Sequence, residues 1–197
     1  INFPTHSLCP FIGLCMSGSL HSPFPVQLPA QSRIDQVYPT VHLADAFAIE
    51  LPAGTTTDPD TLARFIFAHQ PTWIRVLTRL RDLIVAGFGL KTTRELATLG
   101  TSAQAQRIGI FKVYSTTERE IVVGEDDKHL DFRVSVLCAG DRLTLSTVVH
   151  CHNLLGRSYL FVIAPFHRMV VKASLRRAAR IGWPRADAHA GAAVSTP

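Results

Sequence analysis

The stretch GEDDKHLDFRVSV, residues 124–136, carries a row of titratable groups: Asp127, His129, Asp131 and Arg133. Its second half alternates apolar and polar residues. On a strand, successive side chains point to opposite faces, so this row stands back to back with Leu130, Phe132, Val134 and Val136. Turned into a pocket, a His–Asp pair can move a proton while Arg133 holds an acidic group of a substrate. Turned outward, the same residues pair charges across strands, each pair contributing a few tenths to about 1 kcal/mol. Burial cost separates the two readings. Four ionisable groups enclosed in a small cavity would each lose several kcal/mol of solvation unless fully paired. The row is therefore expected to brace the sheet on its wet, convex face, with the apolar side turned to a covering helix.

Two further clusters bear chemistry. In HCHN, His150 and His152 project to the same side of a strand, a spacing that suits two metal ligands. The start of the neighbouring strand carries His129 and Asp131, and Asp131 would complete a two-His-one-carboxylate set. Two histidines at an exposed strand end are also ordinary surface residues, and no metal is expected. His167 follows Pro165 and Phe166 at the start of the last helical stretch. It reads either as an acid or base at a cavity mouth or as a partly buried histidine whose charged form the helix N-terminus disfavours. Arg157 and Tyr159 would stand near the same mouth. His129, Asp131, Arg133 and His167 are thus catalytic candidates, none of them assigned a role. No GxSxG elbow occurs, and no GxGxxG follows a first strand, so the chain holds no dinucleotide site and no cofactor is expected. Cys9, Cys15, Cys138 and Cys151 form no CxxC pair. Cys138 and Cys151 read as small buried residues in a reducing cytoplasm.

The elements that must position these residues follow from periodicity. DAFAIELP alternates, with Phe47, Ile49 and Leu51 on one side, and reads as a first strand. Asp58 then Pro59 is a helix start, an N-cap followed by proline at the first helical position. That helix runs through DTLARFIFAHQ and breaks near Pro71. Trp73, Val76, Leu77, Leu80, Leu83 and Ile84 predict a second helix with one buried stripe. RIGIFKVY, EREIVVGE, KHLDFRVSVLCA and DRLTLSTVVHCHN read as four strands, the last two joined by a turn at Gly140-Asp141. SYLFVI reads as a last strand. PFHRMVVKASLRRAARIG, from Pro165 to Gly182, is the final helix, with Phe166, Met169, Val170, Ala173 and Ile181 inward; Lys172, Arg176, Arg177 and Arg180 form its solvated face. The alternative starts this helix near Tyr159, with a kink at Pro165.

An apolar sheet face needs a cover, and the final helix is its natural lid. The predicted architecture is α+β of the helix-grip type, a curved antiparallel sheet wrapped around a long C-terminal helix, with a helix pair after the first strand. A cone that places its helices first and ends in strands is the competitor, and the terminal helix argues against it. Residues 1–35 and 184–197 lack period and read as a loose arm and tail around one domain, 36–183. Met16 reads as the true start, with residues 1–15 an over-extended frame. The net charge of +5 is carried without a basic face interleaved with aromatics, which argues against nucleic acid. No apolar run reaches the roughly 18 residues of a membrane span.

GEDDKHLDFRVSV, LSTVVHCHNLLGRSYL and APFHRMVV occur in an order that resembles domain-of-unknown-function family 2867, and WIRVLTRLRDLIVAGFGLK resembles that family's helical signature. The resemblance covers about residues 40–181. It implies a START-like, Bet v 1-like fold and an association with short-chain-dehydrogenase-like proteins, and it carries no reaction. Three functions stay open. The first is binding of an apolar or amphipathic small molecule between sheet and last helix, with Phe132, Val134, Tyr159, Phe166, Met169 and Val170 as lining. The second is a cyclase- or isomerase-like enzyme using the His/Asp/Arg cluster. The third is a non-catalytic partner of a dehydrogenase-like protein.

Overall fold

Asp58 caps the first helix as its sequence predicts: its carboxylate accepts from the Thr61 N–H at 2.9 Å, and Pro59 opens the helix. The computed structural model describes residues 22–74 and 106–186. Among these the chain forms β1 (Phe24–Val26), β2 (Leu43–Glu50), α1 (Pro59–Ala68), β3 (Arg107–Ile108), β4 (Phe111–Thr116), β5 (Glu120–Asp126), β6 (Leu130–Ala139), β7 (Arg142–Cys151) and α2 (Leu154–Ile181). The strands make one sheet, ordered β1-β2-β7-β6-β5-β4-β3, and the paired strands run antiparallel. This is the α+β helix-grip arrangement. The first strand of the sequence reading is β2, which closes the meander by pairing with β7.

The alternation read in the sequence decides the faces. Phe47, Ile49, Ile121, Val123, Val134, Val136, Leu143 and Leu145 form the inner face and pack on Leu62 and Ile66 of α1 and Leu175 and Ala178 of α2. At Gly140, φ of 63° allows the tight turn between β6 and β7. Gly156 lets the start of α2 lie against the turn between β5 and β6; a Cβ there would clash with the His129 carbonyl oxygen.

Five expectations are corrected. RIGIFKVY is two strands, β3 and β4, folded back at Gly109, whose φ is 61°. SYLFVI is helical. Asn153 caps α2 through the Gly156 N–H at 3.0 Å, and the helix passes through Pro165, so the helical alternative holds from an even earlier start. Twenty-eight residues at about 1.5 Å each make it about 42 Å long. The inner stripe of α2 is Leu160, Val171, Ser174, Leu175 and Ala178, whereas Met169 and Ile181 are exposed. The polar His167 and Ser174 sit on the inner side, and apolar Phe166 and Met169 further out, so hydrophobicity alone reads the phase wrongly. Trp73 is 37% exposed while its neighbour Ile74 is buried; Val76, Leu77, Leu80, Leu83 and Ile84 lie outside the described residues.

The fifth correction concerns the arm. Within residues 22–35, Phe24–Val26 pairs with β2 and Ile34 is 0% exposed against Val122 and Val148. Glu120 anchors this segment, accepting from the hydroxyls of Ser32 and Ser135, both at 2.6 Å, and from the Arg33 N–H at 3.0 Å. The start of the tail is also held: Pro184 accepts from the Thr56 N–H, and Ala186 donates to the Gly54 carbonyl. Met16 and residues 1–15 lie outside the described residues.

Candidate functional site

The row Asp127, His129, Asp131 and Arg133 does not act as a unit. Arg133 lies on the convex side but is only 8% exposed. Its guanidinium sits 3.5 Å from the centre of the Tyr114 ring and 5.5 Å from that of Tyr38, and it pairs with Asp126 at 2.8 Å. The register shift between Val113 and Ser115 is a bulge at Tyr114, and bulges re-aim side chains. The Tyr114 hydroxyl completes the set by donating to Asp126 at 2.8 Å. The convex face is therefore a covered layer here, not the wet surface expected, because residues 28–38 lie across it.

This cluster makes an acid-sensitive brace. Burial alone would raise the Asp126 carboxyl, but the hydrogen bonds from Arg133 and Tyr114 outweigh it and hold the carboxyl below its ordinary 3.8. A depressed folded value stabilises the protein above the unfolded value, and that stability is lost as pH falls through the folded value. Asp126→Asn is expected to lower stability at neutral pH and flatten its decline below about pH 4. Urea midpoints measured from pH 2 to 7 check this; an acid limb equally steep in the variant would refute it.

The other row members have structural partners. His129 Nδ1 accepts from the Asn153 side-chain amide N–H at 2.9 Å, beside the α2 cap. Asp131 pairs with His152 at 3.1 Å and accepts from the Asp127 N–H. His150 and His152 do share a side, with ring centres 5.1 Å apart. His150 is stacked on Tyr38, and its Nδ1 lies 2.6 Å from the Thr40 carbonyl oxygen. Among the described residues no group of three or more His, Cys, Asp or Glu is placed to hold a metal.

The inner face holds a cavity of about 320 Å³ between the sheet, α1 and α2. Val134, Leu145 and Val149 line its sheet wall; Phe132, Tyr159, Leu160, Phe166 and Val170 are also in its lining. Five of the six expected lining residues are thus present: Phe132, Val134, Tyr159, Phe166 and Val170. Met169 is the exception and points outward with the exposed edge of α2. Asp127 and Glu125 stand at one part of the wall, where Arg107 reaches Glu125 at 3.4 Å.

Of the four catalytic candidates only His167 lines this cavity. Its carboxylate neighbour is Asp45, which the sequence reading missed. Asp45 Oδ1 is 3.4 Å from His167 Nε2, and Arg168 Nε is 3.4 Å from Oδ2. Asp45 lies on the inward side of β2 with Leu43 and Phe47, and its side chain is only 9% exposed. A charge at an inward position of an alternating strand was the available signal. Thr147, the cross-strand partner of Asp45, belongs to the cavity wall, as does Ser174. Both Asp45 oxygens, Thr147 Oγ1, His167 Nε2 and Ser174 Oγ are buried without a hydrogen-bond partner. Each such group costs about 1–3 kcal/mol, so a small set of unsatisfied polar atoms is buried behind the largely apolar cavity wall; Asp45 itself does not line the cavity.

No curated protein and no solved structure matches the chain. The family described as protein of unknown function, DUF2867, matches residues 37–174, from just before β2 into α2 and so around the whole cavity wall, and the chain belongs to that family.

Proposed function

We propose that the protein binds a compact, largely apolar or amphipathic small molecule between the inner face of the sheet and α2. The cavity itself carries the reading. Small-molecule sites are concave, mainly apolar and oriented by a few polar groups, with volumes of about 300–1,000 Å³. A cavity of about 320 Å³ falls at the small end, which favours a ring-sized ligand over a long lipid. Binding is preferred to catalysis because His129, Asp131 and Arg133 stand away from this wall and have structural partners. The START-like reading of the family fits the same use of the fold. Cys138 and Cys151 are free and buried, and burial pushes the Cys138 thiol up to about 11; unreactive thiols suit a reducing cytoplasm.

A second reading, a partner domain for a dehydrogenase-like protein, draws on the outer face of α2. Leu154, Phe161, Val162 and Met169 are exposed there, Phe161 by 84%, and an exposed apolar patch is a usual mark of an interaction surface.

The test is titration with N-phenyl-1-naphthylamine, a neutral probe that brightens when buried. Saturable one-to-one binding is expected, and Val170→Trp should abolish it while leaving the melting temperature within a few degrees. Absence of binding, or binding that a folded Val170→Trp variant retains unchanged, would count against the cavity.

A further inference from the structure

We infer that the junction between β7 and α2 is proton-sensitive: the neutral imidazole of His42 latches it, and acid loosens the cavity wall there and weakens retention of the ligand. The latch stands on the geometry of the junction, and its effect on a ligand rests on the cavity being the binding site. His42 directly precedes β2 and extends its pairing with β7, its N–H donating to the Val149 carbonyl at 2.8 Å. Its side chain then takes over the next bond, Nδ1 accepting from the Cys151 N–H at 3.0 Å. An imidazole nitrogen accepts only while it carries no proton, so this bond exists only when the ring is neutral with its proton on Nε2. Cys151 ends β7, and two residues later Asn153 caps α2, so the bond holds the point where the helix leaves the sheet. The same point backs the cavity: Cys151 packs with Leu43, Val149 and Leu160, and those three line it.

The groups around His42 oppose a charge on it. Partial burial, the Arg157 guanidinium of α2 and the neighbouring His150 of β7 hold its imidazole below the ordinary 6.5. The His42 and His150 ring centres are 5.3 Å apart. His150 Nδ1–H donates to the Thr40 carbonyl at 2.6 Å, so His150 can take a second proton at Nε2 without losing that bond and then repels a charged His42. Tyr38, stacked on His150, brings no charge, because burial raises its hydroxyl well above the ordinary range. Asp131, across from His150 on β6, is engaged with His152 at 3.1 Å. A base with a lowered folded value binds its proton more tightly once released. The latch is therefore complete above about 6.5 and is lost as pH falls through the folded value.

The latch is read by NMR from the hydrogen-exchange protection of the Cys151 amide, taken relative to the intrinsic rate at each pH. From about pH 7.5 to about pH 5 this protection is expected to fall about five-fold, the scale of one hydrogen bond, while that of Val136 in mid-sheet holds. The midpoint of the fall should coincide with the titration of the His42 ring protons and lie below 6.5. His42→Asn, whose side-chain oxygen can accept from the Cys151 N–H and takes no proton, should keep its protection at both pH values. N-phenyl-1-naphthylamine, neutral over this range, should bind the parent protein several-fold more weakly at the lower pH and bind His42→Asn equally at both. Cys151 protection that is constant with pH, that falls as much in His42→Asn, or that follows a group other than His42 would overturn the latch. Probe affinity that is independent of pH while Cys151 loses protection would overturn the link to the ligand. Failure of the probe to bind even at the higher pH would count against the cavity reading and that link together, and the amide measurement still decides the latch.

Discussion

Leu175→Ala is expected to destabilise the protein by about 2–5 kcal/mol, the range for deleting a fully buried leucine side chain. Leu175 has no exposed surface and lies in the main cluster between α2 and the sheet, with Leu143, Val136 and Ala178. Its neighbours come from a long helix and a continuous sheet, so they cannot collapse freely into the space left behind, and the cost should fall in the upper part of that range. The neighbouring Arg176 is exposed, and Arg176→Ala should cost under about 0.5 kcal/mol, like most surface changes. Equilibrium urea unfolding reads both. Equal losses would mean that α2 is rotated about its axis from the phase described above.

Glu120→Ala should cost about 3 kcal/mol or more, because it deletes a buried carboxylate on which three donors converge. The Ser32 and Ser135 hydroxyls and the Arg33 N–H would lose their acceptor together. Hydrogen bonds to a charged group are each worth about 1.5–3 kcal/mol, and they are not additive within one network. The loss should be local in its consequences. Residues 28–38 cross the convex face with only Ile34 fully buried on it, so they should detach before the sheet unfolds. Limited proteolysis of the variant is then expected to cut within this segment first, while Glu120→Gln, which keeps the shape and one acceptor, should be cut more slowly. A variant as resistant as the parent protein would show that Ile34 and Tyr38 hold the segment without Glu120.

The legible parts of this fold were those in which local chemistry and tertiary demand agree. The Asp58-Pro59 helix start, the Gly140-Asp141 turn and the alternation of β6 and β7 each need only a few neighbouring residues to be read. Misreadings arose where a distant segment changed the environment. Arg133 looks like a solvent-facing residue until Tyr38 and Tyr114 close over it, and no local pattern in residues 22–35 announces that Ile34 will be buried against Val122 and Val148, far along the chain. SYLFVI is apolar and rich in strand-forming types, and only the Asn153 cap and packing on the sheet make it helical.

The candidate site shows the same division. Phe132, Val134 and Val170 were found because they are apolar at inward positions. Asp45 and the role of Thr147 were missed because polar residues at inward positions look like errors in a hydrophobic pattern. The phase of α2 was misread for a related reason: His167 and Ser174 face inward, while Phe161 and Met169 do not. Departures of this kind from the hydrophobic pattern are expected at functional or strained sites, and here Thr147, His167 and Ser174 belong to the cavity wall.

The central claim, that the space between sheet and α2 is a binding site, is tested most directly by locating a bound probe. Crystals grown with 6-bromo-2-naphthalenemethanol allow the bromine to be found by its anomalous scattering. The account predicts one strong peak enclosed among Val134, Leu145 and Val170. A peak confined to the exposed Phe161 face of α2, or no ordered bromine at a saturating concentration of probe, would contradict it.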